Sequence, residues 1–286
     1  MTLDRRRFLK QFAVAGIGLG AIAGIDGFLF EPEDPVVERI TIRLPRLPES
    51  FEGFRIAQMA DFHFGPYIGK PQIERAVQIT RSLDPNLVVL TGDFVSAPLF
   101  QSHGIAGARH AEPCAQVLQQ MSECPMLAVL GNHDHWNGAG LVDEILTHHG
   151  IKVLRNASVP LERNGQRLWM VGVDDVIERA ADVGKSFAGV PVEESKIVVV
   201  HEPDFADVIA RHPADLQLSG HSHGGQVWIP GIGAPILPQL ATKYPRGLYR
   251  VSNLQLYTNR GIGVITPPVR LNCRPEITLI TLVGRT

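Results

Sequence analysis

Runs of consecutive apolar residues recur along this chain and alternate with segments whose apolar residues have helical spacing. Residues 87–90, 126–130 and 197–200 are apolar throughout, as expected of strands buried on both faces of a sheet. The segment 71–83 starts with proline, is apolar at helical spacing and ends before Asp84-Pro85, which predicts an amphipathic helix. Strands that alternate with helices predict an α/β fold containing parallel strands.

The second half of the chain adds a different pattern. From residue 151 onward, short alternating runs flank Asn164-Gly165, the strongest short signal for a β-hairpin. The remaining predictions are an edge strand over 37–44, strands over 55–60, 216–219, 248–251, 254–258 and 276–282, and helices over about 112–121, 141–149 and 203–211. No repeat, low-complexity tract or interdomain linker interrupts the pattern, so residues 31–286 are predicted to form a single domain.

Composition excludes some classes of protein. The chain has 286 residues, of which 44% are apolar and 20% charged, as in ordinary globular proteins. Its formal net charge is −2 and its basic residues are not clustered, so we expect no nucleic-acid surface. The three cysteines give no disulfide framework. Cys114 and Cys124 could pair in an oxidising compartment, which would leave Cys273 alone.

Residues 1–30 are predicted to be a leader that stands outside the fold. Arg5-Arg6-Arg7-Phe8-Leu9-Lys10, followed by an apolar stretch over 13–25, resembles a twin-arginine export signal. A basic tail or a plain membrane anchor is the alternative. The stretch of 13 residues is short of the ~20 that span a bilayer. Ala21-Ile22-Ala23 offers a cleavage site, so both cleavage and retention stay open.

The leader sets the expected location and partners. We expect the twin-arginine machinery to export the chain to the periplasm or to the outer face of the cytoplasmic membrane. Membrane contact is expected only through the leader.

Residues able to bind a metal follow five of the predicted strands. They are Asp61 and His63, then Asp93, then Asn132 and His133, then His201, and finally His221 and His223. Each group alone could be an ordinary polar turn. Five of the eleven histidines lie at these strand ends, however, and chance does not account for the whole set. In extended backbone, residues two apart point to the same side, so Asp61 and His63 are expected to converge on a metal.

The ordered motifs Asp-x-His, Gly-Asp, Gly-Asn-His-Asp, His and Gly-His-x-His resemble those of the calcineurin-like metallophosphoesterase superfamily. Gly224-Gly225-Gln226, Arg260-Gly261-Ile262-Gly263 and Arg274-Pro275-Glu276 look like its twin-arginine-exported bacterial branch, so the resemblance covers nearly the whole chain after the leader. It implies a four-layer α/β/β/α sandwich, in which two mixed β-sheets are flanked by helices, with a dinuclear metal centre between the sheet edges.

The resemblance also implies which residues bind each metal. Asp61, His63, Asp93 and His223 would bind the first ion, and Asp93, Asn132, His201 and His221 would bind the second. A carboxylate has two oxygens and can bridge ions ~3.5–4 Å apart, so Asp93 is assigned the bridge. The mixed nitrogen and oxygen donors suit two divalent transition metal ions, Mn, Fe or Zn, better than Mg or Ca.

His133 and Asp134 are the predicted catalytic residues. Because Asn132 would bind the metal, we expect His133 to point toward the leaving-group oxygen and act as general acid, with Asp134 keeping the ring oriented and protonated. A hydroxide activated by the metals would attack phosphorus. Many superfamily members carry another aspartate soon after Gly-Asp, but Phe94-Val95-Ser96 contains none, which leaves the residues around the ligands in doubt.

The expected activity is therefore metal-dependent hydrolysis of a phosphoester, a phosphodiester or an envelope-derived phosphate in preference to a nucleotide cofactor. The alternative is a protein that binds a phosphorylated ligand at the same metal site without turnover, which would not need the His133-Asp134 pair. Five aromatic residues of the loops could line a substrate pocket or simply lie at the surface: His103, His110, His135, Trp136 and Trp228.

Overall fold

The computed structural model describes residue 24 and residues 26–96 and 107–284. His103 and all but a few residues of the predicted leader lie outside these ranges. Within them, no helix combines the length and the apolar character that a membrane crossing requires.

The elements follow the predicted order closely. The strands are β1 (Val36–Arg43), β2 (Arg55–Met59), β3 (Leu87–Leu90), β4 (Met126–Ala128), β5 (Lys152–Val153), β6 (Ala157–Arg163), β7 (Gln166–Gly172), β8 (Lys196–Val199), β9 (Leu216–Ser219), β10 (Gly247–Val251), β11 (Leu254–Thr258) and β12 (Glu276–Val283). The α-helices are α1 (Lys70–Ser82), α2 (Ala111–Leu118), α3 (Asn132–Trp136), α4 (Ala139–His148), α5 (Val183–Ser186) and α6 (Ala206–Ile209).

Two six-stranded sheets form, and both are mixed. The first has the order β1-β12-β2-β3-β4-β5, and only the β12–β2 pair is antiparallel. The second has the order β10-β11-β9-β8-β7-β6, with antiparallel pairs at its two edges. The predicted edge strand β1 and the predicted hairpin at Asn164-Gly165, between β6 and β7, are both confirmed.

Three hydrophobic clusters separate four layers. Ile73 of α1 and Leu146 of α4 pack with Val88 on the outer face of the first sheet. Residues of both sheets, such as Val89 and Ile197, meet in a second cluster between the sheets. A third cluster lies on the outer face of the second sheet, around α6. The predicted architecture of two mixed sheets flanked by helices is therefore confirmed, because each apolar strand has one face in each of two clusters.

Several local predictions need correction. Residues 131–134 were predicted to be a loop, but Asn132 begins the short helix α3. Gly131, just before it, has extended backbone. The predicted helix over 203–211 is a 3-10 turn followed by the four-residue α6. Gly27, a residue of the predicted leader, is buried, and its carbonyl accepts a hydrogen bond from the Arg270 amide. Cys114 and Cys124 are free thiols.

Candidate metal centre

Backbone hydrogen bonds join the loop after β2 to the loop after β3, and the loop after β8 to the loop after β9. The amide of Asp61 donates to the Gly92 carbonyl at 2.9 Å, and that of His63 donates to the Asp93 carbonyl at 3.0 Å. In the second sheet, the Gly220 amide donates to the His201 carbonyl at 3.0 Å. Because parallel strands end at the same edge, these loops bring side chains from both sheets together.

The first group of donors comprises Asp61, His63 and His223, whose ligand atoms lie within 4.8 Å of one another. The two histidines face each other with 2.9 Å between their Nε2 atoms. The Nε2 atom of His223 lies 3.7 Å from Asp61 Oδ1. All three residues are buried, so they form a compact site shielded from bulk water.

The second group comprises Asp93, His201 and His221. His201 Nε2 lies 3.2 Å from Asp93 Oδ2 and 3.2 Å from His221 Nδ1. Asn132 is buried at the start of α3, and its side-chain oxygen has no hydrogen-bond partner within the described part of the chain. A buried amide oxygen without a donor costs free energy, and a cation would satisfy it.

Asp93 joins the two groups through one oxygen. Its Oδ2 lies 3.4 Å from His63 Nε2 and 3.2 Å from His201 Nε2, so the same atom faces both groups. Its Oδ1 accepts the backbone N–H of His133 at 2.9 Å. The expectation that each oxygen would serve a different ion is therefore not what the structure shows.

Backbone strain is concentrated in this cluster. Five of the proposed ligands adopt left-handed backbone: Asp61 (φ 50°), His63 (φ 46°), Asp93 (φ 56°), His221 (φ 67°) and His223 (φ 50°). Non-glycine residues rarely adopt positive φ, and such strain clusters at functional sites. The extended backbone expected at residues 61–63 is therefore wrong, although Asp61 and His63 do converge. Positive φ at Asp61 and at His63, in place of extended backbone, accompanies this convergence.

Outer hydrogen bonds orient the ligands. His201 Nδ1 lies 2.7 Å from the Thr91 carbonyl and His221 Nε2 lies 2.8 Å from the Gln239 carbonyl, so each ring keeps its other nitrogen directed at the cluster. Both oxygens of Asp61 accept the His221 amide at 3.0 Å. Metal-binding histidines usually donate their second N–H to a carbonyl or carboxylate in this way.

Three of the histidines are held neutral. Burial lowers the pKa of His63 and of His223 well below the usual histidine value. Burial, together with the charge of His201, also lowers the pKa of His221 to about 3. A neutral imidazole has a free lone pair and is the form that binds a metal ion.

The two acidic residues of the cluster differ. Burial raises the pKa of Asp61 to about 7. Burial would also raise the pKa of Asp93, but the neighbouring charges of His201 and His133 outweigh it and hold that pKa well below its usual range. In turn, burial opposes the charged form of His201, yet the negative charge of Asp93 raises the pKa of that ring well above 6.5.

These features fit divalent metal ions. The donors are imidazoles, carboxylates and one amide oxygen, as transition metals prefer. Beyond the facing Nε2 atoms of His63 and His223, the Nδ1 atoms of both rings lack hydrogen-bond partners within the described ranges. If those Nδ1 atoms carry the protons, two nitrogen lone pairs point at each other, an arrangement that a bound cation stabilises.

Asp134 makes contacts that its predicted role does not include. Its Oδ2 accepts the amides of Asp93 at 2.9 Å and Gly131 at 3.0 Å, and its Oδ1 accepts those of Phe94 at 2.8 Å and Val95 at 3.3 Å. Four backbone donors occupy both oxygens, so Asp134 clamps the loop after β3 to the start of α3. An aspartate at the third position of a helix is a capping signal that could have indicated this role.

His133 lies beside the cluster. Its ring is 4.5 Å from that of His63, edge to face, and 4.7 Å from that of Trp136. It also belongs to a group of possible donors with His63 and Asp93. Burial lowers the pKa of His133, partly opposed by the charge of Asp93.

The other aromatic loop residues have separate surroundings. His135 is paired with Asp174 at 2.8 Å, and the Trp136 indole donates to Glu178 at 2.7 Å. The Trp228 ring is covered by the guanidinium of Arg246 at 3.5 Å. His110 lies near Phe64. Neither His110 nor His135 belongs to a group of possible metal donors among the described residues.

Arg270 is a residue that the sequence did not indicate. It is fully buried, and its guanidinium donates to the carbonyls of Arg260, Gly261, Gly263 and Cys273. The loop that it holds lies behind the first donor group, because the Gly263 amide donates to the Asp61 carbonyl at 2.7 Å. No local pattern around residue 270 signals this arrangement.

Fold and site together define an α/β protein with a candidate metal centre at the adjoining edges of two mixed sheets. A family model described as calcineurin-like phosphoesterase matches residues 54–225, a range that contains every proposed ligand. The chain therefore belongs to the calcineurin-like phosphoesterases, a family of phosphoester hydrolases.

Individual relatives match over nearly the whole chain. The uncharacterized metallophosphoesterase YkuE of Bacillus subtilis is 30% identical, over 98% of this chain and 98% of its own. The phosphodiesterase YaeI of Escherichia coli is 32% identical, over 98% of this chain and 100% of its own. Among solved structures, a dimetal phosphatase from Danio rerio matches with a TM-score of 0.48 and 14% identity, over 80% of this chain and 99% of its own.

Proposed function

We propose that this chain hydrolyses a phosphodiester by a mechanism that uses two divalent metal ions, with His133 as general acid. The observation that carries the proposal is the position of Asp93 Oδ2, which faces His63 at 3.4 Å and His201 at 3.2 Å. One buried carboxylate oxygen shared by two groups of donors suits a pair of ions. The name of the relative YaeI, a phosphodiesterase, supports the choice of a diester.

The proposed ligands divide into two sets that share Asp93. Asp61, His63 and His223 would complete the first site, and Asn132, His201 and His221 the second. Bound Mn, Fe or Zn would supply Lewis acidity, lowering the pKa of water from 15.7 toward ~7 and offsetting negative charge that develops on the phosphoryl group. The residues themselves exclude bulk water and fix the donors before substrate arrives.

His133 would protonate the leaving-group oxygen. Its ring lies against His63 at the border of the cluster, and its backbone is fixed because its amide donates to Asp93.

A paired experiment tests the activity and this role. We expect the purified chain to hydrolyse a chromogenic phosphodiester when Mn is added and to lose that turnover when a chelator removes the metal. His133→Ala should retain its metal content and lose roughly 10²–10⁴-fold in turnover. Unchanged activity in chelator would refute the metal mechanism. Loss of metal from His133→Ala would instead make His133 a ligand, and metal binding without any turnover would favour a binding protein.

We also propose export by the twin-arginine route, with a substrate derived from the cell envelope. The support is the Arg5-Arg6-x-Phe8-Leu9-Lys10 pattern ahead of an apolar stretch. Replacing Arg5 and Arg6 together by lysine should leave the chain in the cytoplasmic fraction, whereas the parent chain fractionates with the periplasm or membrane. Equal distribution of the two would contradict export by this route.

A further inference from the structure

Two groups of exposed apolar side chains lie outside the metal centre. Phe28, Leu29 and Phe30 are 52%, 63% and 62% exposed, and Ile229, Ile232 and Ile236 are 38%, 78% and 79% exposed. These six, here called the apolar ridge, are a majority of the ten large apolar side chains that are exposed within the described ranges. Concentrated exposure of this kind marks an interaction surface, whereas scattered single residues do not.

The two groups flank one short segment of chain, residues 269–272. On one side, the Arg270 amide donates to the Gly27 carbonyl at 2.9 Å. On the other, the Leu271 amide donates to the Gln226 carbonyl at 2.9 Å. Asn272 bonds to the residue that follows the first group and to the residue that precedes the second, because its amide N–H donates to Glu31 and its side chain donates to the Trp228 carbonyl. Both groups of the ridge therefore border the same segment of chain.

We propose that the apolar ridge docks on a lipid bilayer surface, as a second membrane contact besides the apolar stretch over residues 13–25. The position of the leader favours this occupant. The apolar stretch over 13–25 ends one residue before Asp26, and Gly27 is fixed to the domain by Arg270. Three residues span at most ~10 Å, so a leader held in a bilayer keeps Phe28 at its surface.

The polar border of the ridge suits the same partner. Next to Ile229, the Trp228 ring lies under the guanidinium of Arg246 at 3.5 Å. Tryptophan is enriched at the headgroup level of membranes, and arginine can extend its charged end to that level while its stem stays in apolar surroundings.

The ridge is connected to the metal centre through one of its loops. The loop that carries Ile232 and Ile236 follows His223 directly and returns at Gln239, whose carbonyl lies 2.8 Å from His221 Nε2. Both ends of the docked loop are thus attached to proposed ligands, which holds the centre close to the bilayer.

Tryptophan scanning of the full chain tests the proposal. Ile232→Trp and Phe28→Trp are reconstituted in phosphatidylcholine vesicles with either brominated or ordinary acyl chains. The control is Arg163→Trp, an exposed position at the tip of the β6–β7 hairpin. The tip precedes β7, which runs parallel to β8, so it lies at the end of the sandwich opposite to the metal centre.

We expect bromine to quench the added fluorescence of Trp at 28 and 232 at least about twofold, since docked apolar side chains lie ~5–10 Å deep in the headgroup and acyl boundary. The control should be unquenched. If the chain sediments with vesicles but Trp at 232 is not quenched, the ridge does not dock on lipid, whether the leader or a second copy covers it. Failure of the chain to sediment with vesicles also overturns the proposal.

A charged double variant gives an independent check that does not depend on catalysis. Ile232→Asp combined with Ile236→Asp should melt like the parent, because both side chains are exposed. In a Phe28→Trp background it should abolish quenching if the ridge docks as one surface. Unchanged quenching would show that the isoleucine loop does not contact the bilayer.

Discussion

Gly131 shows how closely individual residues are packed at the metal centre. A Cβ atom at this position would lie 2.3 Å from Asp93 Oδ1 and 2.7 Å from His201 Nε2. Both distances are far below van der Waals contact, and both atoms belong to proposed ligands. The glycine before Asn132 is therefore required by the ligands on neighbouring loops, in addition to the turn itself.

Gly131→Ala tests this requirement. The added methyl group must displace Asp93 or His201, so we expect metal affinity to fall by roughly 10–100-fold, the usual cost of disturbing the surroundings of metal ligands. Metal content after dialysis against a graded chelator is the measurement. Gly140→Ala is the matched control, because a Cβ in that helical position meets nothing within 4 Å. Equal metal retention in the two variants would contradict the packing argument.

At the level of elements, one side chain joins the loop after β3 to the helix after β4. The carboxylate of Asp134 accepts four backbone amides, from residues 93, 94, 95 and 131. Burial and the charge of Asp93 raise the pKa of Asp134 to about 7, and the amides compensate part of that cost. The Asp134 carboxylate therefore fixes the loop after β3 against the start of α3.

Asp134→Asn tests whether Asp134 serves mainly to bind the four backbone amides or to orient His133. Replacing one oxygen by an NH₂ group leaves buried amides without an acceptor, at about 1–3 kcal/mol each. We expect the melting temperature to fall by several degrees, since 1 kcal/mol corresponds to roughly 2–4 °C in a domain of this size. Scanning calorimetry measures the melting temperature of Asp134→Asn. His133→Ala is the control, and it should melt like the parent. Lower turnover with an unchanged melting temperature would restore the orienting role.

Across the whole molecule, Arg270 connects the end of the chain to Asp61, a proposed ligand from its first quarter. Its guanidinium holds the carbonyls of residues 260, 261, 263 and 273. The loop it supports contacts Asp61, about 200 positions earlier in the sequence, through the Gly263 amide. Burial lowers the pKa of Arg270, and a fully buried cation is kept only where many acceptors surround it.

Arg270→Lys should destabilise the domain by roughly 3–5 kcal/mol, because an ammonium cannot reach carbonyls arranged for a planar fork and each one left unsatisfied costs about 1–3 kcal/mol. Urea unfolding measures the loss in free energy of unfolding, and the metal content of the variant should fall as well. Arg250→Lys is the control, since that side chain is exposed and donates only to the nearby Ser252 carbonyl among the described residues. Equal midpoints for the two variants would show that the buried contacts contribute little.

Much of the fold followed from local pattern. The predicted bounds of β3, β9 and β11 agree with the structure to the residue, and α1 is displaced by only one residue. Strand runs and amphipathic helices depend on neighbours two to four positions away, which a sequence displays directly. The short helix α3 was missed because its five residues, Asn132–Trp136, contain no apolar periodicity and owe their conformation to contacts of Asp134.

The amino-acid sequence by itself determined where strands occur along the chain and which donor residues follow them, and hence the family. Only the tertiary structure decided that a single oxygen of Asp93 faces both donor groups, that five ligands adopt left-handed backbone, that Asp134 binds amides and that Arg270 supports Asp61. The reason is physical. Strand and helix signals arise between near neighbours, whereas strained backbone and buried polar groups persist only when contacts between distant segments stabilise them.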